Sequence, residues 1–382
     1  MPATAPEPVV NPLASWRGEF AIFERTIYLN SCSLGALSRR ARARVVGCLD
    51  RWDERGAANW YDLWWEALDE LRLRYARLLH ASPEEIALHA STSSILGVIG
   101  SGLDTSRRRR IVTTELDFPT VPYQWLPKAV EVVVLESPDG VSVPVEHFER
   151  AVNTDTALVA TSHVYFTSGA IQDVRGIAEV AHRVGALCLI DGYQAAGQID
   201  VDLPALDVDF YLTGGLKWLL GGSGITMLYA RAGTTGQVIP RATGWFAHRD
   251  PFAFDPRHFT PRTDARRFET GTPALLSVHA QLGGLDVIEA AGVAAIRAAT
   301  TGLTEDLIAA AANLGLQPRV AANASERTGI VMLPRTDPHA DVARLADAGF
   351  IVDARPGHLR ISPYFYNVAD DHRALLEVLL DV

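Results

Sequence analysis

The chain has 382 residues, of which 48% are hydrophobic, so it can build one large domain with a smaller one beside it. Its net charge of −10 argues against a nucleic acid or an anionic membrane surface as the main partner. Its three cysteines lack the paired spacing of a disulfide framework or a zinc site, which fits a reducing cytoplasm and predicts no metal centre.

The first segment, MPATAPEPVVNP, does not have the composition of a signal peptide. It is rich in proline and contains no apolar run, which predicts a disordered tail over residues 1–12. No apolar run elsewhere reaches the roughly 18 residues that a membrane-spanning helix needs. We therefore expect a cytoplasmic protein without a membrane partner.

Helical patterns and short apolar runs alternate through the middle of the chain. An amphipathic segment over 62–79 is followed by SPEEIAL (82–88), which has Ser and Glu at capping-box spacing. The further predicted helices are 92–103, a segment after Pro119, 144–152 and 174–184. The predicted strands are 111–114, 131–136, 157–164, 186–191, 209–214 and 224–230. This alternation predicts an α/β fold whose mostly parallel sheet is covered by helices on both faces.

The pattern changes near Leu275, where two long alanine-rich helices begin. A strand at IVMLP, a helix over 338–348, short strands at IVDAR and LRIS, and a last helix follow. These elements predict a smaller α+β domain over 275–382. We assign 56–274 to the large domain and 13–55 to an N-terminal segment that packs with the small one.

Three polar side chains stand where predicted strands end, which is where parallel sheets present reactive groups. Asp191 ends ALCLID, His163 ends ALVATSH, and Lys217 comes just after DFYLTG. Lysine can form a Schiff base with an aldehyde whereas arginine cannot, and the 35 basic residues include only two lysines. Lys217 lies between apolar stretches, which favours a functional role, while Lys128 in WLPKAV fits an ordinary surface lysine.

Asp191 follows five apolar residues, so its carboxylate is predicted to be buried and in need of a partner. One good partner is the protonated ring nitrogen of pyridoxal phosphate, whose charge makes the ring an electron sink; a helix-capping aspartate is the structural alternative. Gln194 is placed to bond the ring hydroxyl of that cofactor. Ser91, Thr92 and Ser93 stand where a helix begins, as donors to a phosphate or as ordinary N-caps.

Eight stretches match, in order, the motifs of one group of enzymes. They are YLNSCSLGALS, STSSILGVI, ELDFPTVPY, IDGYQAAGQIDVDL, LKWLLGGSG, RATGWFAHRDPFAFDP, RFETGTPALLS and LRISPYFYN. With them the chain, from Tyr28 to its C-terminus, resembles the class V, fold-type I pyridoxal-phosphate enzymes, and most of all kynureninase. The resemblance implies the fold-type I transferase fold, pyridoxal 5'-phosphate as cofactor and an amino-acid substrate. From its place at a strand end, we expect His163 among the cofactor-binding residues as well.

The resemblance also implies roles for single residues in these motifs. Phe118 would stack on the cofactor ring, and Ser33 lies in the segment expected at the substrate. Arg360 would bind the α-carboxylate of the substrate, a task that suits the guanidinium fork. Trp245 and Thr272 would reach the cofactor phosphate of a neighbouring subunit, which implies a homodimer with shared active sites.

Four positions differ from kynureninase. Leu216 replaces a tyrosine just before the lysine, Val121 replaces an aspartate, and Gln194 stands where a histidine is expected. An asparagine that helps hold the aromatic ring of kynurenine has no clear counterpart around Gly271. The cofactor site is thus predicted to be intact and the side-chain pocket changed, as in an enzyme of natural-product metabolism.

We therefore expect Lys217 to move the Cα proton of an L-amino acid, after which a bond at Cβ is cleaved by hydrolysis or β-elimination. The same carbanion could support transamination, epimerisation or decarboxylation of an unusual amino acid such as a cysteine conjugate. Cysteine desulfurase needs a cysteine late in the chain, and all three cysteines precede residue 189. Two hypotheses remain that do not involve pyridoxal-phosphate catalysis. The chain could be a non-catalytic binding protein of the same fold, or it could be a Rossmann-type oxidoreductase. The chain lacks the G-x-G-x-x-G that such an oxidoreductase carries after its first strand.

Overall fold

The structure is a computed structural model that describes residues 11–234 and 236–381. The predicted disordered tail, residues 1–12, lies outside the described residues apart from its last two. Of these, Asn11 is buried, and its side-chain amide donates to the carbonyls of Phe365 and Asn367 at 2.6 and 2.7 Å. The chain is therefore attached to its own C-terminal part from Asn11 onward.

Helices and strands alternate as the sequence predicts. The α-helices are α1 Arg39–Arg55, α2 Leu63–Leu78, α3 Thr92–Gly102, α4 Thr120–Tyr123, α5 Val145–Ala151, α6 Val174–Arg183, α7 Leu203–Leu206, α8 Leu275–Ala291, α9 Val293–Asn313, α10 Pro338–Asp347 and α11 Ala369–Leu380. The strands are β1 Ile27–Tyr28, β2 Ile86–His89, β3 Arg110–Thr114, β4 Glu131–Leu135, β5 Thr156–Ser162, β6 Leu187–Asp191, β7 Phe210–Gly214, β8 Thr226–Ala230, β9 Val331–Pro334, β10 Phe350–Ile351, β11 Asp353–Arg355 and β12 His358–Ile361. Short 3-10 helices cover Ala14–Glu19, Ala21–Glu24, Gly56–Tyr61, Pro83–Glu85, Trp245–Ala247, Ala265–Phe268 and Ala324–Glu326.

In the part of the chain that the structure describes, seven strands form the large sheet, in the order β2-β8-β7-β6-β5-β3-β4. The pairings from β4 through β7 are parallel, and β8 runs antiparallel to both of its neighbours. Alternate residues pack into separate clusters: Val159 and Cys188 lie with α6, whereas Leu158 and Leu189 lie with α3. Helices therefore cover both faces, and the predicted α/β class with a mostly parallel sheet is confirmed.

The strand register brings several carboxyl ends to one edge of this sheet. Asp191 pairs with Ser162, the last residue of β5, on one side and with Leu212, in the middle of β7, on the other. Gly214, the last residue of β7, pairs with Thr226 at the start of β8. The turn that joins these two strands carries Lys217, so the edge collects the residues expected to do chemistry.

The C-terminal part has its own small sheet, β11-β12-β9, which is antiparallel. β1 pairs in parallel with β10, and Leu29 packs in the same hydrophobic cluster as Leu333 and Leu359. The N-terminal segment thus contacts the C-terminal part. The domain boundaries given above stay a prediction. Within the described part of the chain, no helix combines the length and the apolar character that a membrane span requires.

The short elements β1 and α7 were not predicted from the sequence, and two larger differences also separate the structure from the prediction. Helix α1 was not predicted, because its sequence is highly charged; it packs on α8 through a close contact in which a Cβ on Gly283 would lie 2.4 Å from the Ala41 Cα. The Ser82 amide donates to the Glu85 carboxylate at 3.1 Å, as in a capping box, but the segment forms a 3-10 turn of three residues, after which the chain continues as strand β2. The paired edge strand outweighs the local helix signal there.

Candidate active site

A cavity of about 290 Å³ opens at the carboxyl edge of the large sheet. Seven of the predicted site residues line it, and they come from strand ends, from the start of α3 and from the turn after β7. These seven are Ser91, Thr92, Ser93, Phe118, Asp191, Gln194 and Lys217. Residues that are far apart in the sequence are therefore brought together at one site.

Lys217 lies in the turn between β7 and β8, where the N-terminal segment approaches closely. A Cβ on Gly35 would lie 2.0 Å from the Lys217 carbonyl oxygen, so only glycine fits there. The Gly35 amide also donates to the Leu216 carbonyl at 2.8 Å. The Lys217 amine is 5.6 Å from the centroid of the Phe118 ring and 5.1 Å from that of Tyr193. The turn packs against the N-terminal segment and thus holds the lysine beside two aromatic rings.

Burial shifts the ionisation of Lys217 and Asp191 in opposite directions. Loss of hydration lowers the pKa of Lys217 to about 8, although the nearby Asp191 carboxylate raises it. Loss of hydration raises the pKa of Asp191 to about 6, while the Tyr193 amide at 2.9 Å and the charge of Lys217 lower it. At neutral pH, Asp191 is charged, and part of the Lys217 population is the neutral amine that attacks a carbonyl carbon.

His163 lies behind Asp191 and does not line the cavity. Its backbone amide donates to the Asp191 carbonyl at 2.8 Å, and its Nδ1 is 3.0 Å from the Tyr211 hydroxyl. Burial lowers the pKa of His163 to about 4, so the imidazole is neutral. The structure therefore places it where it supports Asp191.

The first turn of α3 forms an anion-binding end of the cavity. Ser91 caps the helix by accepting from the Ser94 amide at 3.2 Å, and the Ser93 hydroxyl is 2.6 Å from that of Thr120. The Thr92 hydroxyl is buried and has no hydrogen-bond partner among the residues that the structure describes. Free amides at a helix N-terminus beside an unpaired hydroxyl are the donors that a phosphate requires.

Phe118 and Gln194 form further parts of the cavity wall. Phe118 is 44% exposed and packs edge-on against Phe166, with centroids 5.3 Å apart. The Gln194 side chain donates to the Cys32 carbonyl at 3.1 Å and accepts from the Trp218 indole at 2.6 Å. These two bonds fix the orientation of the Gln194 amide and leave one of its N–H groups for a ligand.

Arg360 and Ser33 lie beside the cavity and contact each other. The Arg360 Nη2 donates to the Ser33 hydroxyl at 2.6 Å and to Asp353 at 2.7 Å, and its Nη1 donates to the Phe166 carbonyl at 2.9 Å. The Arg360 Nε is buried, and no described residue gives it a hydrogen-bond partner. Asp353 also pairs with Arg355 at 2.8 Å, so one carboxylate holds two guanidinium groups next to the site.

The sequence prediction missed Asp353 and Tyr193. Asp353 faces Arg360 across the hairpin of β11 and β12, and the two-residue Pro-Gly turn between these strands is a sequence signal for that register. Tyr193 lines the cavity near Lys217, although it follows Asp191 by only two residues. No local pattern indicates that the side chain of Tyr193 turns towards the lysine.

Trp245 and Thr272 do not line the Lys217 cavity of their own chain. Trp245 belongs to a separate aromatic group, with its centroid 6.3 Å from that of Trp60 and 6.5 Å from that of Phe254. Thr272 is exposed. A role for either residue at this cavity would therefore need another subunit.

Leu216 and Val121, two of the positions that differ from kynureninase, lie in different surroundings. Leu216 lines the cavity directly before Lys217, so an apolar side chain takes this position. Val121 is fully buried among Ile95, Leu96 and Trp125 and does not line the cavity. Of these two changes, the one at Leu216 alters the cavity wall.

We expect Lys217 in the cofactor-free protein to capture aldehydes with an apparent pKa near 8. Burial lowers its pKa to about 8 from an ordinary value of 10.5, so the reactive neutral amine increases from pH 7 to pH 9. The measurement is borohydride trapping of a small aldehyde over a pH range that spans both pKa values, with the modified residue identified by peptide mass spectrometry. Half-maximal labelling of Lys217 only above pH 10 would contradict this account of its environment.

Comparison with known proteins places the chain in one family. The model of the family described as aminotransferase class V matches residues 55–372. An uncharacterized aminotransferase of Bacillus subtilis, YcbU, is 32% identical over 95% of this chain and 96% of its own length. Kynureninase of Deinococcus radiodurans is 31% identical over 96% of this chain and 92% of its own length. An apo cysteine desulfurase from Thermococcus onnurineus superimposes with a TM-score of 0.88 at 22% identity, covering 98% of both chains.

Proposed function

The chain belongs to the class V aminotransferase family and is a fold-type I, pyridoxal-phosphate-dependent enzyme, and on this premise we propose that it cleaves a side-chain bond at Cβ of a free L-amino acid. The observation that carries the proposal is the presence of Lys217, Asp191 and the first turn of α3 in one cavity. A lysine, a carboxylate and an anion site are the three contacts that pyridoxal-phosphate chemistry at Cα needs, and the relatives named kynureninase direct the proposal to cleavage at Cβ.

The cavity residues fit pyridoxal 5'-phosphate. Asp191 offers a charged carboxylate for the ring nitrogen, and Lys217 offers an amine for the aldehyde carbon. The Thr92 hydroxyl, which has no partner within the described part of the chain, and the amides of α3 offer donors for the phosphate. Phe118 lines the same cavity, and its side chain is partly exposed there. When bound, this cofactor supplies an electron sink that stabilises the negative charge left at Cα.

Lys217 is the group that we assign to proton transfer at Cα. Its pKa of about 8 lies close to neutral pH, and a base is most effective when its pKa is near the operating pH. The Asp191 carboxylate keeps part of the lysine protonated, so one side chain can take a proton and return it. The two flanking rings, Phe118 and Tyr193, reduce the access of water to the amine.

Arg360 is the residue that we assign to the substrate carboxylate. It is almost fully buried beside the cavity, and Ser33, Asp353 and the Phe166 carbonyl hold its guanidinium group in place. Its buried Nε, unpaired within residues 11–234 and 236–381, leaves one donor for a ligand. Since Asp353 already neutralises part of its charge, an incoming carboxylate would share the guanidinium group or displace Asp353.

The relatives named kynureninase favour cleavage at Cβ over the other reactions of the family. Kynureninase acts on an amino acid that carries a carbonyl group next to Cβ. The apolar Leu216 in the cavity wall favours a different side chain, such as that of a natural-product amino acid or a cysteine conjugate. The relative named as an aminotransferase supports transamination as the second candidate.

The test is to incubate the cofactor-loaded enzyme with L-kynurenine and, separately, with S-substituted cysteines. Hydrolysis of kynurenine releases anthranilate and alanine, whereas β-elimination from a cysteine conjugate releases a thiol, pyruvate and ammonia. Either set of products, absent in the Lys217→Ala variant, supports cleavage at Cβ. Products that form only after addition of a 2-oxo acid would assign transamination instead and overturn the proposal.

We also propose a homodimer in which each active site uses residues of both subunits. Trp245 and Thr272 lie outside the cavity of their own chain, and the Trp245 group includes the exposed side chains Phe252, Phe254 and Phe259. An exposed aromatic group of this size is typical of a surface that contacts another protein. The second subunit is the partner that the resemblance to kynureninase favours.

Mixing two impaired variants is expected to restore turnover. A dimer of one Lys217→Ala subunit and one Trp245→Ala subunit contains one site with both native residues. Because a 1:1 mixture forms such dimers in about half of its molecules, we expect about one quarter of wild-type turnover after joint refolding. The measurement compares the refolded mixture with each variant alone. Turnover no greater than the sum of the two variants would show that the sites are not shared.

A further inference from the structure

Tyr193 brings a hydroxyl group to the phosphate end of the cavity. Thr226 pairs with His89, the last residue of β2, and with Gly214, the last residue of β7, so it lies between the start of α3 and the lysine turn. The hydroxyls of Tyr193 and Thr226 both lie 2.8 Å from the position that a Cβ on Gly214 would occupy. Tyr193 therefore extends from the end of β6 to the strand next to the start of α3.

The lysine turn itself offers no side-chain donor just before Lys217. Gly215 has no side chain, and Leu216, which lines the cavity, is apolar. On this side of the cavity, a phosphate could instead meet the hydroxyls of Tyr193 and Thr226, since both residues line the cavity.

The surroundings of Tyr193 keep its hydroxyl protonated. Burial raises the pKa of the phenol, and the Thr226 hydroxyl and the Leu216 backbone amide offset this only in part. A phenol oxygen that accepts from a backbone amide still has its own proton to donate. A neutral donor of this kind can bond a phosphate oxygen strongly, because hydrogen bonds to charged acceptors are the stronger class.

We infer that Tyr193 is a further cofactor-binding residue whose hydroxyl donates to the phosphate of pyridoxal 5'-phosphate. The inference rests on the proposed cofactor site and adds to it a residue that the motifs did not indicate. It assigns to Tyr193 and Thr226 the anion contacts next to the lysine turn, in addition to the contacts that the first turn of α3 provides.

The experiment measures the affinity of the cofactor-free Tyr193→Phe variant for two ligands, pyridoxal 5'-phosphate and pyridoxal. Loss of one hydrogen bond to a charged phosphate is expected to raise the Kd for pyridoxal 5'-phosphate by about 10- to 100-fold. The Kd for pyridoxal, which lacks the phosphate, should stay within about twofold of wild type. Both constants are read from the visible absorbance of the bound ligand, without any turnover.

Tyr229→Phe is the matched control. Tyr229 is buried on β8, the strand that carries Thr226, but does not line the cavity, so loss of its hydroxyl should change neither Kd. An unchanged Kd for pyridoxal 5'-phosphate in Tyr193→Phe, or an equal rise for both ligands, would overturn the inference and leave the proposed function intact. If the wild-type protein bound neither ligand, the cofactor site would fail, and the inference with it.

Discussion

Replacement of Lys217 by alanine is expected to lower turnover of any amino acid substrate by at least about 10³-fold. The variant loses the amine that we assign to proton transfer at Cα and to the link with the cofactor aldehyde. The rest of the cavity is retained, because the turn is held through the backbone of Leu216 and Lys217. The measurements are steady-state turnover and mass spectrometry after borohydride reduction, which should no longer fix the cofactor to the chain.

Lys128, the only other lysine of the chain, provides the matched control. Its ammonium group donates to the Gly100 carbonyl at 2.9 Å and lies 4.8 Å from the centroid of the Trp125 ring, away from the cavity. Lys128→Ala should therefore keep full turnover and still be fixed to the cofactor by borohydride. Normal turnover in Lys217→Ala, or equal losses in the two variants, would refute the role given to Lys217.

Replacement of Asp191 by asparagine is expected to lower kcat/KM by about 10²- to 10⁴-fold. Asparagine has nearly the same shape but carries no charge, so it cannot stabilise a protonated ring nitrogen. Removal of one partner from a buried charged pair costs about 3–5 kcal/mol, and each 1.36 kcal/mol corresponds to about a factor of ten in rate. The measurement is kcat/KM at saturating cofactor, so that a weaker affinity for the cofactor does not contribute.

Thermal unfolding separates this effect from damage to the fold. Without the cofactor, burial raises the pKa of Asp191 to about 6, above its ordinary value of 3.8. Above pH 6, the charged carboxylate is therefore less favourable in the folded protein than in the unfolded chain, and it lowers the free energy of unfolding. Asp191→Asn removes this cost, and the cofactor-free variant should unfold at the same temperature as wild type or higher. A drop of several degrees would instead mean that the lost activity reflects misfolding.

The sequence determined most of the secondary structure, because helices and strands depend on local periodicity. The predicted helix over 92–103 is observed as Thr92–Gly102, and the predicted strand over 186–191 as Leu187–Asp191. The same reasoning failed where tertiary contacts outweigh local preference: the charged α1 is held against α8, and Ile86–His89 becomes an edge strand of the large sheet.

The sequence also indicated Lys217 and Asp191 as one chemical pair. A rare lysine among many arginines and a carboxylate directly after an apolar strand can both be recognised in the sequence alone. Their shared cavity and opposite pKa shifts depend on the register of parallel strands. Tertiary structure alone placed the Tyr193 hydroxyl near Thr226 and kept Trp245 out of its own chain's cavity. These placements depend on how side chains pack between distant segments, and no local sequence pattern determines that packing.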